Sequence, residues 1–213
     1  AGLGWVGKHT LVIHPQDGSW MTLGGFATTL PLEALEDQAE AIDRCGTCTR
    51  CIEACPTGAI TPYSVDASRC ISYLTIERRE TIAPEFHRAI GEWVFGCDVC
   101  QEVCPHNSTR PGQAEASGVG AEAVGPGHAR LPLLEVLGWT AEDRTAALSK
   151  SVIKRATLVT LKRNAVIVLG NRLLRRAEAG VLERLREIAA DEAEAELVRG
   201  AAREVVERVE RGM

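Results

Sequence analysis

Cys45-Gly-Thr-Cys48-Thr-Arg-Cys51-Ile-Glu-Ala-Cys55-Pro56 is the stretch on which the reading of this chain turns. A second run, Cys97-Asp-Val-Cys100-Gln-Glu-Val-Cys104-Pro105, repeats its ending but is one cysteine short. Cys70 is the one cysteine of the eight that lies outside both runs. Gaps of two and three residues bring thiolates to one centre, which is the spacing of metal ligation. A disulfide framework belongs to much smaller secreted chains. At 213 residues this chain buries a core without covalent staples.

The first run has the C-x2-C-x2-C-x3-C-P arrangement of bacterial ferredoxins, in which three close thiolates hold one 4Fe-4S cluster and the fourth reaches the neighbouring one. Crossing both runs in this way gives Cys45, Cys48, Cys51 and Cys104 to a first cluster. Cys55, Cys70, Cys97 and Cys100 go to a second, and no thiol is left over. The competing reading is structural zinc, because paired CxxC units are also a zinc pattern. Zinc has no need of a third cysteine at the same gap, or of a proline after each crossing cysteine.

Around this module the pattern changes twice. Residues 1 to about 32 read as Gly turns and β-prone runs, with Thr10 to His14 and Ser19 to Leu30 pairing as a hairpin. Residues 33 to 44, which are acidic, form a helix or a loop leading to the cysteines. The module itself runs from 45 to 107, with a short helix after each cysteine triplet and another near Ser72 to Arg79. Residues 108 to 130 are rich in Gly, Ala, Pro and Ser and read as a linker or long surface loop. From 131 to 213 the chain is helical. Leu158, Leu161, Ala165, Val168 and Leu169 follow i, i+3, i+4 spacing up to a C-cap at Gly170-Asn171, and helices follow over Val181 to Ala190 and Glu194 to Arg211. The fold class is therefore α+β: a partial β-rich segment, a ferredoxin-like two-cluster module and helix pairs resembling HEAT repeats.

Thiols committed to metal point to a reducing compartment, and so to the cytoplasm. The longest apolar run, Ala165 to Leu169, is far short of the roughly 20 residues of a membrane span, and no signal peptide opens the chain. A net charge of −5 argues against general affinity for nucleic acid. Between Lys150 and Arg176, however, stand eight basic residues and no acid. Lys154-Arg155 and Lys162-Arg163 lie two helical turns apart, so the spacing predicts one basic face able to meet a phosphate backbone, with the leucines turned inward.

Gly2-Leu-Gly4-Trp-Val-Gly7-Lys8 matches GxGxxG, but a nucleotide site needs a strand before it and a helix after it, and here β-prone residues follow. The expected role is a tight turn in which glycines permit close backbone approach. His14 and His106 have no partner pattern and read as surface or packing histidines.

Taken together, GLGWVGKHT, the Gly18-Ser-Trp20 turn, CGTCTRCIEACPTGAI, the Asp66-to-Glu77 stretch containing Cys70-Ile-Ser-Tyr-Leu-Thr-Ile-Glu77, the Gly96-to-Pro105 run and Lys162-Arg-Asn-Ala-Val-Ile-Val-Leu-Gly-Asn171 closely resemble epoxyqueuosine reductase. That resemblance implies an oxidoreductase that converts epoxyqueuosine to queuosine in a tRNA anticodon. It implies a base-off cobalamin reduced through the two clusters, an external low-potential electron donor, a helical domain that grips tRNA, and a monomer. Carried over by motif, Lys8, Ser72 and the Cys97-Asp98-Val99-Cys100 backbone line the corrinoid site, and Lys154, Arg155, Lys162 and Arg163 meet tRNA phosphates. The family's general acid lies upstream of the GLGW motif, so no catalytic residue is expected in this chain. The rival classes are a ferredoxin-like electron carrier, another corrinoid reductase of the dehalogenase kind, and a zinc-stapled RNA-binding adaptor.

Overall fold

The computed structural model describes residues 2–27, 29, 41–107 and 131–212. Most of the acidic stretch 33–44 and all of the linker 108–130 lie outside the described residues. Those of the acidic stretch that are described, 41–44, form no helix. The fold is mixed and helix-rich with few strands, and it divides into two units. The first holds residues up to Asp66 together with those from Asp98 to 107. The second holds Ala67–Cys97 and the residues from 131 onward. The boundary differs from the division by composition, because part of the cysteine-rich stretch belongs with the helices.

In the first unit, β1 (Trp5–Val6) pairs antiparallel with β2 (Val12–Ile13). The hairpin expected between Thr10 to His14 and Ser19 to Leu30 is not the one formed. Thr10 to His14 does supply a strand, but it pairs with the glycine-rich opening, and the described residues between Met21 and Ala27 form no strand. Gly4 explains the choice, since a Cβ there would sit 2.2 Å from the Ile13 carbonyl oxygen and no other residue lets the strands approach so closely. A strand inside GxGxxG also rules out the nucleotide-binding arrangement. Trp5 and Ile13 are buried with Cys104 in a small apolar cluster against which Cys45 packs. His106 meets Trp5 edge-on, with ring centroids 4.9 Å apart, and is a packing residue as expected. A second small hairpin, β3 (Ile60–Thr61) with β4 (Ser64–Val65), follows α1 (Arg50–Ala54), and α4 (Val99–Glu102) completes the unit. Each of these short helices contains the last close cysteine of its run, rather than starting after it.

The second unit is built around α7 (Leu158–Arg175), on which α2 (Ile71–Ile76), α3 (Pro84–Ile90), α5 (Leu133–Val136), α8 (Val181–Ala190) and α9 (Glu196–Gly212) all pack. α6 (Ala141–Leu148) precedes it, opened by a reciprocal capping box between Thr140 and Asp143. The helix after the linker and the pair at the C-terminus stand where periodicity placed them. Two details differ. Gly170-Asn171 is no C-cap, because α7 continues to Arg175. A Cβ on Gly170 would lie 2.3 Å from Val205 Cγ1, so this glycine lets α9 seat against α7. Asn171 Nδ2 donates to the His87 and Gly91 carbonyls at 2.7 and 2.9 Å.

The second difference concerns the basic face. α7 is buried without interruption from Thr160 to Asn171, so it has no solvent face in that stretch. Lys162 is 8% exposed and its ammonium donates to Glu194 at 2.7 Å. Arg163 is 0% exposed. Its guanidinium donates to the carbonyls of Leu74 (2.7 Å), Arg78 (2.9 Å) and Glu80, and to Asn164 Oδ1. Burial, together with the charges of Arg78 and Arg79, brings its pKa down to about 10, so it stays protonated at neutral pH. The expectation that Lys162 and Arg163 meet tRNA phosphates is corrected here: both are spent inside the unit. Lys154 and Arg155 are exposed, in a 3-10 turn ahead of α7 and not on the helix itself.

Candidate metal centre

The candidate centre of the first unit begins with backbone geometry. After Cys45 the chain turns so that Cys48 N–H donates to the Cys45 carbonyl at 3.0 Å, and α1 then carries Cys51 inward. Lys8, projected from the first hairpin, donates its ammonium to the carbonyls of Gly46 (2.7 Å) and Cys48 (3.0 Å). The Lys8 carbonyl in turn accepts the Tyr63 N–H at 3.1 Å. One lysine thus ties the cysteine loop to both hairpins.

From the other end of the unit, α4 and the 3-10 turn Pro105–Asn107 bring Cys104 to the same place. Asn107 and Gln101 bond to Ser19 at 2.6 to 2.8 Å, which anchors this turn to the Gly18-Ser-Trp20 segment. Cys45, Cys48, Cys51 and Cys104 line one small cavity together with Lys8, His9, Ile13 and His106. These are the four thiols assigned to the first cluster. Burial pushes the thiols of Cys51 and Cys104 up, and each is pushed further by its neighbours among the four. Four thiols that repel one another in a shared cavity are a site that a cation-rich group relieves.

Cys55 is treated differently from these four. Burial alone would raise its thiol, but hydrogen bonds from Thr57, Ala59 and Gly58 outweigh it and hold Cys55 below the ordinary thiol value. The Ala59 N–H reaches Cys55 Sγ at 3.3 Å and Thr57 Oγ1 lies 3.6 Å from it. Gly58, at φ +59°, makes the left-handed turn that aims these amides at the sulfur. Backbone N–H groups directed at a cysteine sulfur are how iron-sulfur ligands are stabilised and their potentials set. The remaining ligands of the expected second cluster are divided: Cys100 lies in the first unit with Cys55, and Cys70 and Cys97 lie in the second.

The corrinoid candidates are distributed as well. Asp98 lines a pocket of about 420 Å³ in the first unit with Gln101, Ser19, Trp20 and Leu23. Lys8 lines the thiol cavity instead. Ser72 sits on α2 of the second unit, where its carbonyl accepts the Thr75 hydroxyl at 3.3 Å. Sequence reasoning missed His9 and gave Arg163 and Asn164 no structural role. His9 is buried at the thiol cavity, and Arg163 and Asn164 hold the backbone of the loops around α2. Only the run Gly7-Lys8-His9 and the Lys-Arg-Asn triplet signalled them.

Comparison with known proteins places this geometry. The 4Fe-4S double cluster binding domain family matches residues 44–107. An epoxyqueuosine reductase of Leadbetterella byssophila is 43% identical over 172 residues, which is 79% of this chain and 53% of that protein. One of Burkholderia pseudomallei is 43% identical over 188 residues, covering 85% and 45% respectively. The epoxyqueuosine reductase structure from Streptococcus thermophilus superposes with a TM-score of 0.82 at 28% identity, over 99% of this chain and 53% of that one. A structure of epoxyqueuosine reductase with an epoxyqueuosine-modified tRNA-Tyr stem loop matches with a TM-score of 0.74 at 28% identity, over 98% and 52%. The chain spans about half the length of the relatives it matches. By its double-cluster domain, its sequence and its fold, this chain is a homologue of the epoxyqueuosine reductases along most of its own length.

Proposed function

We propose that this chain takes part in reducing epoxyqueuosine to queuosine in a tRNA anticodon, and that it carries two 4Fe-4S clusters which pass electrons toward a base-off cobalamin. The observation that carries the reading is the cavity shared by Cys45, Cys48, Cys51 and Cys104, set within a fold that matches epoxyqueuosine reductases along nearly its whole length. The second cluster takes Cys55, Cys70, Cys97 and Cys100. The amides on Cys55 favour its thiolate and support that assignment. An external low-potential donor reduces one cluster, and the chain acts as a monomer.

Cobalamin, when bound, supplies the low-potential cobalt chemistry that opens the epoxide. The pocket beside Trp20 offers it Asp98 and Gln101 as polar contacts. Ser72 and the Cys97-to-Cys100 backbone are the further candidates. The terminal helices are read as HEAT-like, and of the phosphate contacts expected from sequence, Lys154 and Arg155 are the pair with solvent access.

The test is an anaerobic iron and sulfide count with absorption and EPR spectra, followed by titration with cobalamin and with an epoxyqueuosine-modified stem loop. Eight irons per chain, a cobalamin-dependent spectral change and salt-dependent stem-loop binding are expected. A colourless chain holding zinc would refute the cluster reading, and eight irons without any response to cobalamin would leave an electron carrier.

A further inference from the structure

His9 is a buried histidine at the thiol cavity with one ring nitrogen accounted for and the other not. It is 4% exposed. Its Nδ1 accepts the Leu11 N–H at 3.2 Å, and a nitrogen that accepts an N–H carries no proton of its own. In the neutral ring the proton therefore sits on Nε2, which becomes a donor. Among the described residues that Nε2 is fully buried and has no hydrogen-bond partner. Buried donors are nearly always satisfied, so a native orphan points to a partner that is not a protein atom.

The ring's position is built in. Gly7 carries no side chain, and a Cβ there would lie 3.0 Å from His9 Cε1 and 2.7 Å from Ile13 Cδ1, so the glycine leaves the ring its room. His9 then shares the cavity wall with Cys45, Cys48, Cys51 and Cys104. The neighbouring Lys8 fixes the cysteine loop through Gly46 and Cys48. Two successive residues of one hairpin thus serve the same centre, one through backbone and one through its ring.

We infer that His9 donates its Nε2–H to a sulfur of the first cluster, either a bridging sulfide or a ligating thiolate, and so sets that cluster's potential. The inference rests on the cluster reading proposed above. A donor to sulfur stabilises the reduced cluster, which carries one more negative charge, and therefore raises the potential. With one of the two clusters holding this donor, the pair is poised unequally, which gives electron flow between them a direction.

The experiment uses the full chain, reconstituted anaerobically. In wild type labelled with 15N-histidine, pulsed EPR of the reduced protein is expected to show a histidine nitrogen coupled to one cluster. The coupling disappears in His9→Leu and persists in His106→Phe, which controls for the other histidine at the cavity. In a redox titration, His9→Leu lowers the midpoint of one cluster and leaves the other at its wild-type value, and His9→Gln, which keeps an N–H donor, restores part of the shift. Absence of histidine coupling in wild type overturns the inference without any substitution. So does an unchanged midpoint in His9→Leu with all eight irons retained. Zinc, or fewer than eight irons in wild type, defeats the underlying cluster reading instead, and is recognised before any variant is made.

Discussion

Replacing Arg163 with Met distinguishes an internal clamp from a surface contact. The guanidinium is fully buried and its hydrogen bonds run to neutral oxygens: the carbonyls of Leu74, Arg78 and Glu80, and Asn164 Oδ1. Each charge-assisted bond to a carbonyl contributes about 1.5–3 kcal/mol. Arg163→Met removes three of them and leaves the acceptors in a site that the thioether cannot satisfy. Against this stands relief of the several kcal/mol that burying a cation costs. The net loss is about 3 kcal/mol. For a chain of 213 residues each kcal/mol moves the melting temperature by roughly 2–4 °C, so the variant should melt about 6–12 °C below wild type. The assay is far-UV circular dichroism on the anaerobically reconstituted chain, paired with stem-loop binding over a range of salt. A surface arginine on a phosphate would behave in the opposite way, leaving the melt unchanged and making the salt slope shallower by about 0.7–0.9. An unchanged melt with a shallower slope would refute the clamp.

The double variant Lys154→Gln with Arg155→Gln should weaken stem-loop binding and reduce the salt slope by about 1–2, with no change in melting temperature, because both residues are exposed. An unaltered slope would remove this turn from the RNA interface. Gly170→Ala places a methyl group 2.3 Å from Val205 Cγ1 and should cost about 1–3 kcal/mol, read from the urea midpoint. A stabilised variant would show that Gly170 is no spacer between the helices. His87 is 1% exposed, and burial chiefly drives its pKa down to about 4. Above pH 6.5 the ring is neutral in both states. As the pH falls from 6.5 toward 4, the unfolded chain alone takes up the proton, so stability is lost on acidification. Between pH 7 and 5.5 wild type should lose about 1 kcal/mol more than His87→Gln, measured by urea unfolding at each pH. Parallel pH profiles would contradict a buried neutral His87.

The cysteine runs were legible because ligand spacing is a local property: gaps of two and three residues constrain where neighbouring sulfurs go, and the structure brings Cys45, Cys48 and Cys51 to one cavity. The α8 and α9 helices were legible for a related reason, since each buries one stripe and exposes the rest, so periodicity reports its face. α7 escaped that reasoning. Its residues from Thr160 to Asn171 are enclosed on every side, and a helix with no wet face gives its polar residues no preferred direction. Lys162 and Arg163 therefore looked like a phosphate-binding pair, although one neutralises Glu194 and the other holds the carbonyls of Arg78 and Leu74, 85 and 89 residues away in sequence. The strand partner of Val12–Ile13, the role of Gly170 and the orphan nitrogen of His9 depend in the same way on distant groups. What the sequence determined by itself is the grouping of Cys45, Cys48 and Cys51 and the class of each long helix, because both follow from spacing along the chain. Which charged side chains face water was decided only by tertiary structure, because burial is settled by neighbours that arrive from elsewhere in the chain.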